Sequence, residues 1–141
     1  MAPDREQAAL ELAGRALARR DKSVAELDAE LARRGVCADD REAAVERLTE
    51  LGYVDDARFA RSRAQTLAER GHGDVAIAFD LEQRGIDAET IADALGELDP
   101  EAERAGRLVA ATTEPATRVA RRLAAKGFSA DAIESAVGLP D

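Results

Sequence analysis

Few residues in this chain could carry covalent or proton-transfer chemistry. His72 is the only histidine and lies between Gly71 and Gly73, with no second His to complete a metal site or a proton relay. Cys37 is the only cysteine, and no neighbouring His is placed to activate its thiol. The Asp55-Asp56 pair has the residue types of acid–base catalysis, but adjacent carboxylates at a helix start serve equally as caps. Most of the glycines fall at helix ends, and they form no phosphate-cradling loop. No catalytic residue, metal ligand or cofactor is expected, and the chain reads as a non-enzyme.

Binding chemistry is better represented. Arg58 and Arg61 neighbour each other on one helix and, with Arg70 and Arg84, are candidates for meeting an acidic partner surface or DNA phosphate. The plain alternative is solvated charge pairing, for example Arg58 with Asp55. Arg118, Arg121, Arg122 and Lys126 make the densest basic cluster, spread around one helix. Cations near helix C-termini are favoured by the dipole alone.

Bulk composition limits the partners. The net charge is −9, with −3 over residues 1–51, −5 over 52–98 and −1 over 99–141. No third is basic, which argues against strong direct binding to a phosphate backbone. Alanine is abundant and aromatics are 3% of 141 residues, a mixture that favours close-packed helices around a thin core. No apolar run is long enough to span a bilayer, and Met1-Ala2-Pro3-Asp4-Arg5-Glu6 lacks a signal peptide's hydrophobic segment. A single Cys supports no disulfide framework. A soluble, cytoplasmic protein without membrane contact is expected.

The elements that must position these residues are all helical. A first helix runs from about Arg5 to Arg20 with Leu10, Ala13 and Leu17 on one face. Ser23-Val24-Ala25-Glu26 has the spacing of a capping box and opens a helix that buries Val24, Leu27 and Leu31 and stops at Gly35. Asp39–Leu51 follows, with Ala44, Val45 and Leu48 inward. Gly52-Tyr53-Val54-Asp55-Asp56 is then a corner: Gly52 takes a left-handed conformation, and Asp55 or Asp56 caps the next helix. Tyr53, Val54 and Phe59 are expected to fix the packing there. Further helices are expected over about Asp56–Arg70, Asp74–Arg84, Asp87–Leu98, Pro100–Ala111, Pro115–Lys126 and Ser129–Val137. Asp99 should cap the seventh with Pro100 at its first position, and residues 138–141 should form a short tail.

These elements repeat. Three glycines, Gly35, Gly85 and Gly127, each follow a basic residue. Four residues earlier stand Leu31, Leu81 and Leu123, and eight earlier Leu27, Ile77 and Val119. Arg41 stands where the later repeats have Ile91 and Ile133. The fold expected is all-α: nine helices in three tandem three-helix repeats, residues 1–52, 53–98 and 99–141, in an elongated, curved array. On the helix after Gly73, Val75 and Phe79 fall opposite Ile77 and Leu81. The counterparts of Phe79 are Ala29 and Arg121, so this second apolar stripe belongs to the middle module alone. It either packs against an adjacent module or is an exposed partner-binding patch.

The corner Gly52–Ala60, the following Arg70-Gly71, Leu81-Glu82-Gln83-Arg84-Gly85-Ile86-Asp87, and the earlier Ser23–Leu27 and Leu31–Gly35 resemble the RecX family. The resemblance covers nearly the whole chain and implies nine helices in three repeats. It further implies a regulator that binds the RecA–DNA filament, touches DNA only through it, and restrains strand exchange, ATP hydrolysis and the coprotease step of the SOS response. A monomer acting in DNA repair and homologous recombination is expected. The chain departs from the family where basic positions have become Val75, Ala76 and Ala78, and where Arg63 replaces an aromatic or apolar residue. Two other classes stay open: a diverged helical adaptor with another partner, and a weak nucleic-acid-binding module.

Overall fold

A computed structural model describes residues 2–138. Among them lie nine helices and no strand: α1 Ala2–Arg19, α2 Val24–Arg33, α3 Ala38–Glu50, α4 Asp56–Glu69, α5 Asp74–Gln83, α6 Ala88–Gly96, α7 Glu101–Ala110, α8 Ala116–Ala125 and α9 Ala130–Val137. The all-α expectation holds. Most of the tail expected over 138–141 lies outside the described residues.

Local chemistry explains the boundaries. Ser23 accepts the Glu26 N–H while the Glu26 carboxylate accepts the Ser23 N–H, completing the capping box of α2. Asp87 and Ser129 cap α6 and α9 in the same side-chain manner. Cys37 occupies the N-cap of α3, exposed and without a cap bond, and its Sγ donates to Asp40 Oδ2 at 3.2 Å. It fills no core. Two expectations shift by a few residues. α1 begins at Ala2, ahead of Arg5. The seventh helix has Pro100, not Asp99, at its N-cap; Asp99 instead accepts from Arg104 Nε and Arg107 Nη2.

The chain forms two compact units. One comprises the described residues through Phe59 together with Arg84–Ile86; the other comprises Ala60–Gln83 and the described residues from Asp87 on. In the first, α1, α2 and α3 pack on one another around Ala9, Ala13, Ala16, Leu27, Leu31, Ala44, Leu48 and Val54. Alanines form the floor of α1, while Leu10 and Leu17 are only partly buried against it. In the second, α7, α8 and α9 enclose Ala105, Val119, Leu123, Phe128 and Ile133. Arg41, where the repeat pattern breaks, spends its guanidinium on Asp28 and the Val36 carbonyl.

Candidate partner-binding surface

The geometry starts from α5, whose first turn is tied down by residues far along the chain. Gly73 donates its N–H to the Lys126 carbonyl at 2.9 Å, Val75 donates to the Gly127 carbonyl at 3.0 Å, and Asp74 donates to Glu101 Oε2 at 2.7 Å. These bonds satisfy amides that a helix start leaves open. A Cβ on Gly73 would lie under 3.0 Å from the Gly127 and Phe128 backbone. Glycine is thus required at residue 73 for close approach, a need that spacing alone did not signal.

Arg104, buried on α7, braces the same turn. It donates to the Asp99 and His72 carbonyls, pairs with Asp74, and sits over the Phe128 ring at 6.0 Å. Glu101 also accepts the Ser129 hydroxyl at 2.7 Å. Arg63 of α4 forks onto Asp80 of α5, Nε to Oδ1 at 2.9 Å and Nη2 to Oδ2 at 3.0 Å. Where the family resemblance anticipated an apolar residue, this chain has a bidentate ion pair. None of these braces was evident from the sequence, because a lone Arg or Glu in a charged chain reads as solvated surface.

Held this way, α5 buries Ile77 and Leu81 completely and exposes Val75 by 64% and Phe79 by 61%. Both side chains of this stripe are at the surface. On α8, Val119 and Leu123 are buried, and Arg118, Arg121 and Arg122 are exposed. At 100° per residue the three arginines fall within an arc of about 100°. They share one face rather than being spread around the helix. Arg122 pairs with Glu114.

The other candidate cations are more committed. Arg58 donates to the Gly52 and Tyr53 carbonyls and lies 3.6 Å from Asp21, closing the corner from outside. Only its backbone N–H meets Asp55, at 3.1 Å. Arg61 pairs with Glu97 at 3.7 Å and Arg84 with Glu26 at 2.8 Å. Arg70 is exposed at the end of α4. In the corner itself Gly52 has φ of 80°, and Val54 and Phe59 are buried. Tyr53 is 63% exposed, so it does not share their packing role. It edges an apolar hollow of about 290 Å³ with Gly14, Leu17, Ala18 and Leu48. Asp55 caps α4, whereas Asp56 accepts the Val24 N–H of α2.

Three carboxylates titrate away from their ordinary range. Burial raises the Glu26 pKa, but the Ser23 N–H, Arg20 and Arg84 outweigh it and hold it low. Glu30 is likewise raised by burial and pulled lower overall by Lys22 and Arg19. Asp87 is lowered by the Thr90 N–H it caps. All three serve structural pairs.

A cleft of about 350 Å³ in the second unit is lined by Gln65, Glu69, Glu97, Asp99, Arg104 and Arg107 among others. Within it Arg107 pairs with Asp99 and the Gln65 amide donates to Glu69. His72 points Nδ1 at the Leu67 carbonyl, 3.2 Å away. Among the described residues no group of His, Cys, Asp and Glu is arranged to hold a metal ion, and no helix is long and apolar enough to cross a membrane.

Comparison with known proteins gives a consistent result. A family described as "RecX, second three-helix domain" matches residues 55–95. The chain is 40% identical over 140 residues to the regulatory protein RecX of Mycobacterium ulcerans, covering 90% of this chain and 81% of that one. It is 36% identical over 141 residues to that of Stenotrophomonas maltophilia, covering 94% and 86%. The crystal structure of RecX from Lactobacillus salivarius superposes with a TM-score of 0.86 at 20% identity, covering 96% of each chain.

Proposed function

The chain belongs to the RecX family of regulatory proteins, and we propose that it binds the RecA–DNA filament and restrains its recombinase, ATPase and coprotease activities without catalysing a reaction. The observation that carries this reading is the match along nine-tenths of the chain to proteins named for regulation. The protein acts in the cytoplasm as a monomer, in DNA repair and the SOS response, and meets DNA through the filament.

Three modules, residues 1–52, 53–98 and 99–141, present the contact residues. The equivalent burial of Leu31, Leu81 and Leu123, at 1%, 0% and 2% exposure, supports that division. Among the candidate contacts, Val75, Phe79, Arg118 and Arg121 are favoured over Arg58 and Arg84, because the latter pair has carbonyl or carboxylate partners within its own unit. Binding two or more RecA protomers would favour one filament state over the state that exchanges strands.

The test is RecA's single-stranded-DNA-dependent ATPase with this protein titrated in, alongside co-sedimentation with filaments. Inhibition with co-sedimentation is the expected result. A protein that neither sediments with filaments nor changes their ATPase rate would overturn the reading. The adaptor alternative draws on the loss of basic positions at Val75, Ala76 and Ala78; a pull-down returning a different partner would favour it.

A further inference from the structure

We infer that Val75 and Phe79 of α5, together with the cations of α8, form a docking surface for an acidic protein segment that carries a bulky apolar side chain. This rests on the reading that the chain works by binding a protein partner. The two parts are joined through main chain: the Gly73 and Val75 N–H groups bond to the Lys126 and Gly127 carbonyls, which brings the end of α8 to the first turn of α5. Val75 and Phe79 stand one helical turn apart, 64% and 61% exposed, in a protein that otherwise exposes few large apolar side chains.

Charge complementarity selects the occupant. Residues 115–128 hold four basic and no acidic residues in a protein of net charge −9, so this end of the second unit opposes the sign of the whole. Arg118, Arg121 and Lys126 are exposed and have no carboxylate partner among the described residues. Carboxylates of an incoming segment would meet these cations, and the acidic surface elsewhere would steer it to this end. A strand of nucleic acid fits less well. The bulk charge repels a phosphate backbone, and the surface offers one aromatic ring where sequence-tolerant stacking uses several.

The test uses the full chain and a fluorescein-labelled peptide of about 16 residues, with Leu and Phe four apart among Asp and Glu, read by anisotropy. Phe79→Ser and the double variant Arg118→Gln/Arg121→Gln are each expected to weaken binding about tenfold or more. Both should keep the wild-type thermal unfolding profile, because the three positions are exposed. A peptide with Ser for Leu and Phe, or Asn and Gln for Asp and Glu, should bind weakly, and binding should fall with added salt. Equal binding by either control peptide, or tighter binding of an oligo-dT of equal length, overturns the proposal.

Filament co-sedimentation run in parallel separates the two readings. Wild-type protein and both variants sedimenting equally with RecA filaments overturns the surface and leaves the regulatory function standing. Wild-type protein that does not sediment overturns that function, and the peptide titration alone then decides the surface.

Discussion

Asp56, the first residue of α4, accepts the backbone N–H of Val24, the first residue of α2, at 2.8 Å across 32 positions of sequence. The second unit repeats the device: Glu101, first residue of α7, accepts the N–H of Asp74, first residue of α5, at 2.7 Å. In both, the acid that favours the positive end of its own helix also closes another helix's open amide. The paired carboxylates of the corner therefore divide their work, Asp55 locally on Arg58 N–H and Asp56 at a distance.

Asp56→Ala is expected to lower stability by about 1 kcal/mol, the usual effect of losing a side-chain cap, and Asp56→Asn by less. Glu101→Ala should lower it further, because the Ser129 hydroxyl loses its acceptor as well. Urea unfolding midpoints at constant m-value check both.

The repeat glycines should respond unequally to Ala. Gly35, Gly85 and Gly127 have φ of 84°, 80° and 90°, so each substitution brings backbone strain of about 1 kcal/mol. Gly35 has open space around it, whereas a Cβ at Gly85 or Gly127 would come under 3.0 Å from Ala25 or Ala76. Gly127→Ala is expected to destabilise by about 3 kcal/mol, with overpacking added to strain. A Gly35→Ala variant as unstable as Gly127→Ala would contradict this.

Arg104→Ala should lower stability by about 2–3 kcal/mol, because it removes a buried side chain and strips partners from two carbonyls and from the part-exposed Asp74. Arg107→Ala, whose pair with Asp99 is exposed on both sides, should change stability by less than about 1 kcal/mol. Thermal unfolding of the two variants side by side measures the contrast.

Acid should destabilise the fold through Glu26, Glu30 and Asp87. Each has a folded pKa below its unfolded value, so the unfolded chain takes up the proton first. Their contribution is fully present above about pH 5 and is lost as pH falls through the lowered folded values. Glu26→Gln should therefore lose less stability than wild type between about pH 7 and about pH 3. An unchanged acid limb in that variant would refute the assignment.

What the sequence made legible was local. The spacing of Ser23 and Glu26 encodes the capping box, and the apolar series at Leu31, Leu81 and Leu123 marks residues that are in fact buried. Left-handed glycines announce helix ends because few other residues tolerate that conformation. What stayed hidden depends on approach between distant segments. Arg104 is chemically indistinguishable from its solvated neighbours until Asp74, His72 and Phe128 surround it. Gly73 looks like a loop residue until the Gly127 backbone lies against it. Pro100 took the N-cap expected of Asp99 at one helix start, and Tyr53 faces outward while Val54 and Phe59 are buried behind the corner.

The first turn of α5 carries a consequence for the order in which the protein can be made. α2 holds its own capping box, so the Ser23 and Glu26 amides can be satisfied as soon as Glu26 has been added, and the Val24 amide once Asp56 follows. α5 has Gly73 in front of it, and the partners of its opening amides are Glu101, Lys126 and Gly127. During vectorial synthesis that helix must wait, with its amides hydrated, until the chain has grown some fifty residues past it and left the ribosome. A nascent chain halted before Lys126 would keep a settled beginning and an unfinished middle, because the carbonyls that close the first turn of α5 belong to the two residues just after α8.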